Sequence, residues 1–344
     1  MRRIGLIVFF AMAWVISTAV AQIVISPPAP DIHINGHTYT NNNWQANPQG
    51  TLSAIANDVG AVTQLYPQGR FSPRVTLTSD LTMFVGGSGA NDANTCLSGN
   101  PCATVQRPFD LLRDRYDLAG HTVSVQLADG TYSTGLSLQG KLIGQLSPAN
   151  LILRGNNANP SAVTVSDTRG LTGADDGVGS PIFVAWGGAL TVGGMHLVAT
   201  YRSIWAHATS SITFGFVDFG PAGDSHIVSD TGSLIRTFAS YSISGSSGAH
   251  YAVYGGTIYS FEPANPAELT TVTINNFPNF GWFAFADGQG QIVSPANRTT
   301  FTGAVGAAHK YQADGISLIN TNGSGVNFFP GICPCFVVNG SVYK

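Results

Sequence analysis

The stretch GGALTVGGMHLVATYRSIWAHATSSITFGFVDFG, Gly187–Gly220, decides the fold. A Gly-containing turn leads into a short apolar strand centred on Leu190, and a second such unit follows 22 residues later, centred on Ile212. The pattern continues at Leu234, Ile258, Ile292 and Ile316, at intervals of 22, 24, 34 and 24 residues. A unit of this length holds two or three short strands and cannot bury its own apolar side, so it must stack on its neighbours. The expectation is an all-β chain folded as a right-handed, single-stranded parallel β-helix, a solenoid with one coil per repeat. The 34-residue interval holds an extra lateral loop, Phe261–Leu269, with Pro263 and Pro266.

Composition supports the same class. Of 344 residues, 44% are hydrophobic, 10% are charged and 41 are Gly, with Lys only at 141, 310 and 344 and Glu only at 262 and 268. Such a chain lacks the residues that build solvent-facing helices and is rich in strand and turn formers. The formal charge is −3, and without Arg2 and Arg3 it becomes −5. No basic stripe exists to bind nucleic acid.

Upstream of the ladder, Arg2 and Arg3 precede the apolar run Ile4–Ile16 and then Ala19-Val20-Ala21. That order reads as a secretory signal peptide over residues 1–21, with no membrane attachment after cleavage. The destination is secreted, periplasmic or cell-surface, an oxidising setting. Cys96 and Cys102 flank the turn-rich Leu-Ser-Gly-Asn-Pro and are expected to form a disulfide. Cys333-Pro-Cys335 reads as a structural or free thiol pair, with no second Cys or His cluster near it in sequence to make a metal site. Residues 22–80 read as an N-terminal arm with a short helix at Thr51–Val62, where Leu52, Ile55, Ala56, Val59 and Val62 make an apolar stripe. The β-helix domain is expected over 81–344. It comprises a capping helix at about 103–118, coils over 121–320 and a tail over 321–344. In that helix Pro108 fits only near the first turn.

Met83–Ser133, MFVGGSGANDANTCLSGNPCATVQRPFDLLRDRYDLAGHTVSVQLADGTYS, resembles the opening of right-handed β-helix proteins of the pectin-lyase-like class. The shared order is a strand, a G-S-x-x-N loop, a P-[CF]-A-T-[IV]-Q helix and an A-D-G-T-Y turn. Leu151–Ser166 is similar to their second and third coils, and His309–Gly331 looks like the closing coil of tail-fibre-like proteins of phages and prophages. The resemblance implies the fold over about residues 80–344. It implies little about activity, because the fold serves many chemistries. Low surface charge permits a homotrimer, as in tail spikes, which would hide a lateral face.

For polysaccharide hydrolysis two carboxyls must flank the scissile bond. The catalytic candidates are Asp167, Asp175 and Asp176, and further carboxylates stand at Asp218, Asp224 and Asp230. Of the N-T-D, D-D, G-H-G and R-I-K elements of polygalacturonase-like enzymes, only Asp175-Asp176 is matched. A pectate-type lyase would add Ca²⁺ and a basic residue, which here would be an Arg. The histidines His196, His207, His226 and His250 are expected to be structural. His226 and His250 lie one coil apart, where their rings would stack. The Asp-Gly corners at 230–232, 287–288 and 314–315 read as turn chemistry. Phe214 and Phe216 are expected to face inward beside Ile212. Trp186, Trp205 and Trp282 are the candidate platforms for stacking a sugar. The leading expectation is therefore a non-catalytic surface protein that binds a glycan or a partner and needs no cofactor or metal. The alternative is a polysaccharide lyase or glycoside hydrolase working in a lateral groove.

Overall fold

The computed structural model describes residues 74–170, 176–265, 267–332 and 335–344, and the backbone of 32–34 and 37–39. The chain divides into two compact units, Met1–Ser72 and Pro73–Lys344. In the first unit Ile32–Ile34 pairs antiparallel with His37–Tyr39. The expected leader, the helix at Thr51–Val62 and Asp175 lie outside the described residues.

In the second unit nearly every strand pairs in parallel with the strand one repeat further along. One ladder runs from Leu81–Val85 through Val123–Leu127, Leu151–Arg154, Ala189–Ala199, Ser211–Phe219, Leu234–Thr237, Thr257–Tyr259 and Gln291–Val293 to Leu318–Asn320 and Val342–Tyr343. A second carries Gly130–Tyr132, Val163–Asp167, Tyr241–Ile243, Thr270–Ile274 and Thr299–Thr302. The long strands Ala189–Ala199 and Ser211–Phe219 belong to both ladders and join them into one 15-stranded sheet. They turn from one ladder to the next at Gly194 and Phe216, both at positive φ. A separate eight-stranded sheet runs from Leu136–Gln139 to Phe336–Val337. The chain visits the first ladder, the second and then the eight-stranded sheet before returning one strand further along. Mostly parallel strands in stacked sheets are compatible with a parallel β-helix-like fold.

The register corrects the expected ladder in two places. The stacked inward column is Leu190, Ile212, Ile235, Ile258, Ile292 and Ile319. The expected members Leu234 and Ile316 are not in it. Leu234 pairs with Ser211 and is half-buried, whereas Ile235 is fully buried. Ile316 is 69% exposed and has φ +63°, a corner residue rather than a strand centre. Strand side chains alternate, so a one-residue slip exchanges core and solvent faces. Phe216 is also corrected: at φ +53° and 38% exposure it sits on the bend, while Phe214 and Phe219 are buried.

The helix, α1, spans Gln106–Arg115, with Pro108 in its first turn and Val105, Phe109, Leu111 and Leu112 buried. It lies against Leu81–Val85 and Leu136–Gln139, the end strands of two ladders. Gln106 Oε1 accepts from the Ser137 backbone N–H at 2.8 Å, satisfying one donor on that otherwise open edge. Asp92 Oδ1 accepts from the Ala103 and Thr104 amides just before α1. Cys96 and Cys102, both buried, form the expected disulfide and hold this loop. Cys335 is also disulfide-bonded, so the free-thiol reading does not hold for it.

The described residues of the expected loop, 261–265 and 267–269, lie between the strands Thr257–Tyr259 and Thr270–Ile274. Arg298, from the next repeat, anchors it. Its guanidinium donates to the Glu262 carbonyl at 2.8 Å and stands 4.6 Å over the Phe261 ring.

Candidate functional site

The outward face of the eight-stranded sheet carries a second, smaller apolar layer. In register across successive strands lie Phe183, Trp205, Val228, Ala252 and Phe285, followed by Gln312 and Phe336. Phe183, Trp205, Val228 and Ala252 are buried although they point away from the main core. Part of the cover comes from the segment around Gly177, where a Cβ would sit 2.3 Å from the Phe183 ring. Part comes from Arg202, whose guanidinium lies 4.4 Å from both the Tyr201 and Trp205 ring centres and 5.9 Å from that of Tyr254. Cation–π contact and the apolar Arg stem both favour this placement.

Two carboxylates hold the guanidinium from the sides. Arg202 Nε donates to Asp224 Oδ2 at 2.8 Å, and Nη1 stands 3.7 Å from Asp230 Oδ2. Asp230 also accepts from His207 Nδ1 at 2.7 Å and from Trp205 Nε1 at 2.9 Å. Asp287 and Asp314, by contrast, accept from the Gly288 and Gly315 amides and serve their corners as expected. Asp230 is the exception to the turn-chemistry reading. Burial and the neighbouring Asp224 charge push the Tyr254 phenol upward, partly offset by Arg202, so it stays an uncharged O–H at neutral pH.

The three tryptophans fare differently. Trp186 is 62% exposed and meets His207 edge-on at 5.5 Å. Trp205 is only 2% exposed and its N–H is spent on Asp230, so it supports the surface rather than forming a platform. Trp282 is half-buried, with its ring 4.5 Å from His309. Tyr201, Tyr254 and Phe285 are surface rings of this face that spacing did not single out. Their significance depends on neighbours 22 or more residues away, which only the register discloses.

Of the expected catalytic carboxylates, Asp167 and Asp176 fall within the described residues. Asp167 is fully buried and held by Arg169 through Nε at 2.9 Å and Nη2 at 2.6 Å. Asp176 accepts from the Val178 amide at 3.0 Å in a local turn. No group of three or more His, Cys, Asp or Glu side chains among the described residues is placed to hold a metal ion. No described helix is long and apolar enough to cross a membrane.

On the second ladder His196 Nδ1 donates to Asp218 at 2.6 Å, and Ser242 and Ser244 donate to the same carboxylate. The serines face the carboxylate and not the imidazole, so this is not a nucleophilic Ser-His-Asp arrangement. His226 and His250 do meet, and both are buried. His226 Nε2 lies 2.9 Å from the Gly220 carbonyl, His226 Nδ1 lies 3.1 Å from His250 Nδ1, and His250 Nε2 lies 2.8 Å from the Tyr241 hydroxyl. Tyr241 in turn meets the Tyr251 hydroxyl at 2.5 Å.

No protein-family model, no curated protein and no solved structure matches this chain.

Proposed function

We propose that the chain is a secreted, non-catalytic right-handed parallel β-helix of the pectin-lyase-like kind. In this reading it binds a glycan along the outward face of its eight-stranded sheet. The observation that carries this reading is the set of surface rings on that face, Trp186, Tyr201, Tyr254, Trp282 and Phe285, which lie over or beside the buried layer of Phe183, Trp205, Val228 and Ala252. Exposed ring faces of this kind are the surfaces on which the apolar faces of sugar rings stack. Asp224, Arg202 and the Tyr254 hydroxyl supply polar contacts beside them. Helix α1 serves as the cap of the first coil, covering edges that would otherwise template pairing. A cell-surface or phage-tail-derived setting fits this surface.

Polysaccharide cleavage is the second reading, favoured by one observation: Asp224 and Asp230 flank Arg202, with Asp224 part-exposed. Against it, both Asp230 oxygens are already hydrogen-bonded, and an Arg held between two carboxylates is a poor proton acceptor. The binding reading is tested on an array of bacterial polysaccharides followed by affinity measurement on any hit. Trp186→Ala and Tyr254→Ala should each weaken binding about three- to tenfold, the equivalent of about 1 kcal/mol per stacked ring. Unchanged affinity in both variants would remove this face from consideration.

A further inference from the structure

A groove of about 480 Å³ opens on the second ladder, away from the aromatic face, lined by Pro160, Ser161, Asp218, Ser242, Ser244, Asn275 and Asn276. Its size is in the range of small-molecule sites. Its chemistry follows from where the protons go. Ser242 Oγ donates to Asp218 Oδ1 at 2.6 Å, Ser244 Oγ donates to Oδ2 at 2.7 Å, and Ser161 Oγ donates to Asn159 at 2.7 Å. Each hydroxyl has one proton, so all three serines have only lone pairs left for a ligand. His196 spends its Nδ1 proton on Asp218 Oδ2 as well. A carboxylate has about four acceptor positions, and three are filled here, which leaves one on Oδ1.

Burial alone would raise the Asp218 pKa. The hydrogen bonds from His196, Ser242 and Ser244 outweigh it and hold the carboxyl below its ordinary value, so it is an anion at neutral pH. No Lys or Arg lines the groove, and the Asn275 and Asn276 side chains make no hydrogen bond within the described residues. The groove thus presents a carboxylate among oxygen acceptors, and among its lining side chains the unspent donors are the two Asn amides. A carboxylate or phosphate is repelled there. A group with several N–H donors and a positive charge satisfies it.

We propose that this groove binds a primary ammonium group, as carried by an amino sugar or an alkyl diamine. The site is independent of the aromatic face and would give the protein a second ligand.

The test is a ligand-observed NMR titration of the whole chain at about 0.15 M salt, where exposed charge pairs are partly screened. The ligands are glucosamine, N-acetylglucosamine, glucose and 1,4-diaminobutane. A hydrogen-bonded charge predicts that glucosamine binds about tenfold or more tightly than the two sugars without a free amine. Diaminobutane binding as well as glucosamine assigns the site to alkylammonium groups generally. Diaminobutane failing while glucosamine binds assigns it to amino sugars. Asp218→Asn should abolish the preference for the amine. Asn275→Ala alters an exposed side chain with no partner within the described residues, so it should weaken amine binding without affecting folding. Trp186→Ala, on the other face, should leave it unchanged. Equal binding of all three sugars, no binding of either amine, or an Asn275→Ala variant with unaltered affinity would overturn the proposal.

Discussion

At the scale of single residues, the buried histidines show how far proton accounting alone can go. A carbonyl only accepts, so His226 carries its proton on Nε2 toward Gly220, and its Nδ1 is bare. His250 Nδ1 must then donate to it, which leaves His250 Nε2 to accept from Tyr241, and Tyr241 to accept from Tyr251. One direction of donation satisfies the whole chain, and it requires both histidines to be neutral. Burial enforces this: it pushes the His226 pKa down from 6.5 to about 3, and lowers that of His250 well below its usual value. Between pH 6.5 and about 3 the unfolded chain therefore binds protons that the folded chain refuses. Their contribution to stability is complete above 6.5 and is lost as the pH falls, by up to about 1.4 kcal/mol per pH unit for each histidine. Guanidinium unfolding at neutral and mildly acidic pH should show that slope, and His226→Leu/His250→Leu should flatten it. Equal slopes in both proteins would show that the pair does not titrate as described. The sequence showed that these residues lie a coil apart; their donors and acceptors depend on Tyr241, Tyr251 and Gly220, which spacing does not reveal.

At the scale of elements, the difference between Leu234 and Ile235 carries the lesson. Repeat length identified parallel stacking, because units of this size have no other way to bury their apolar side. It did not set the register. Corners of one residue more or less are absorbed at positive-φ positions such as Thr231, Gly232 and Ile316. Ile235→Ala should cost about 2–5 kcal/mol in an unfolding titration, as for other fully buried aliphatic side chains. Ile316→Gly should be neutral or stabilising by up to about 1 kcal/mol, since a β-branched residue is strained at that φ. The reverse ranking would restore the uncorrected ladder. The lateral loop depends in a similar way on a single residue from another repeat. Arg298→Ala removes the donor to the Glu262 carbonyl and the cover over Phe261, so limited proteolysis should begin to cut within Phe261–Leu269. An uncut loop would mean that its own packing suffices.

At the scale of the whole molecule, ladder and function separate. The parallel stack explains why Asp287-Gly288 and Asp314-Gly315 recur, each carboxylate accepting from the amide of the glycine after it. The two proposed binding surfaces arise where stacking brings distant residues together on outward faces. Trp205 and Arg202 on one repeat meet Asp224 and Asp230 on the next, and His196 meets Asp218 in the same way. Trp186 was legible as an exposed ring, but the burial of Trp205 was not, because its cover comes from Arg202, from Tyr201 just before its own strand and from Phe183 on the neighbouring strand. Low overall charge leaves such local groups to dominate recognition. The central claim is that the aromatic face binds a glycan without cutting it. The most direct measurement incubates the protein with a polysaccharide that it retains on an affinity gel, while reducing ends and unsaturated uronates are monitored. The account predicts retention that weakens in Trp186→Ala/Tyr254→Ala and no new chain ends. Release of chain ends that disappears in Asp224→Asn would contradict it.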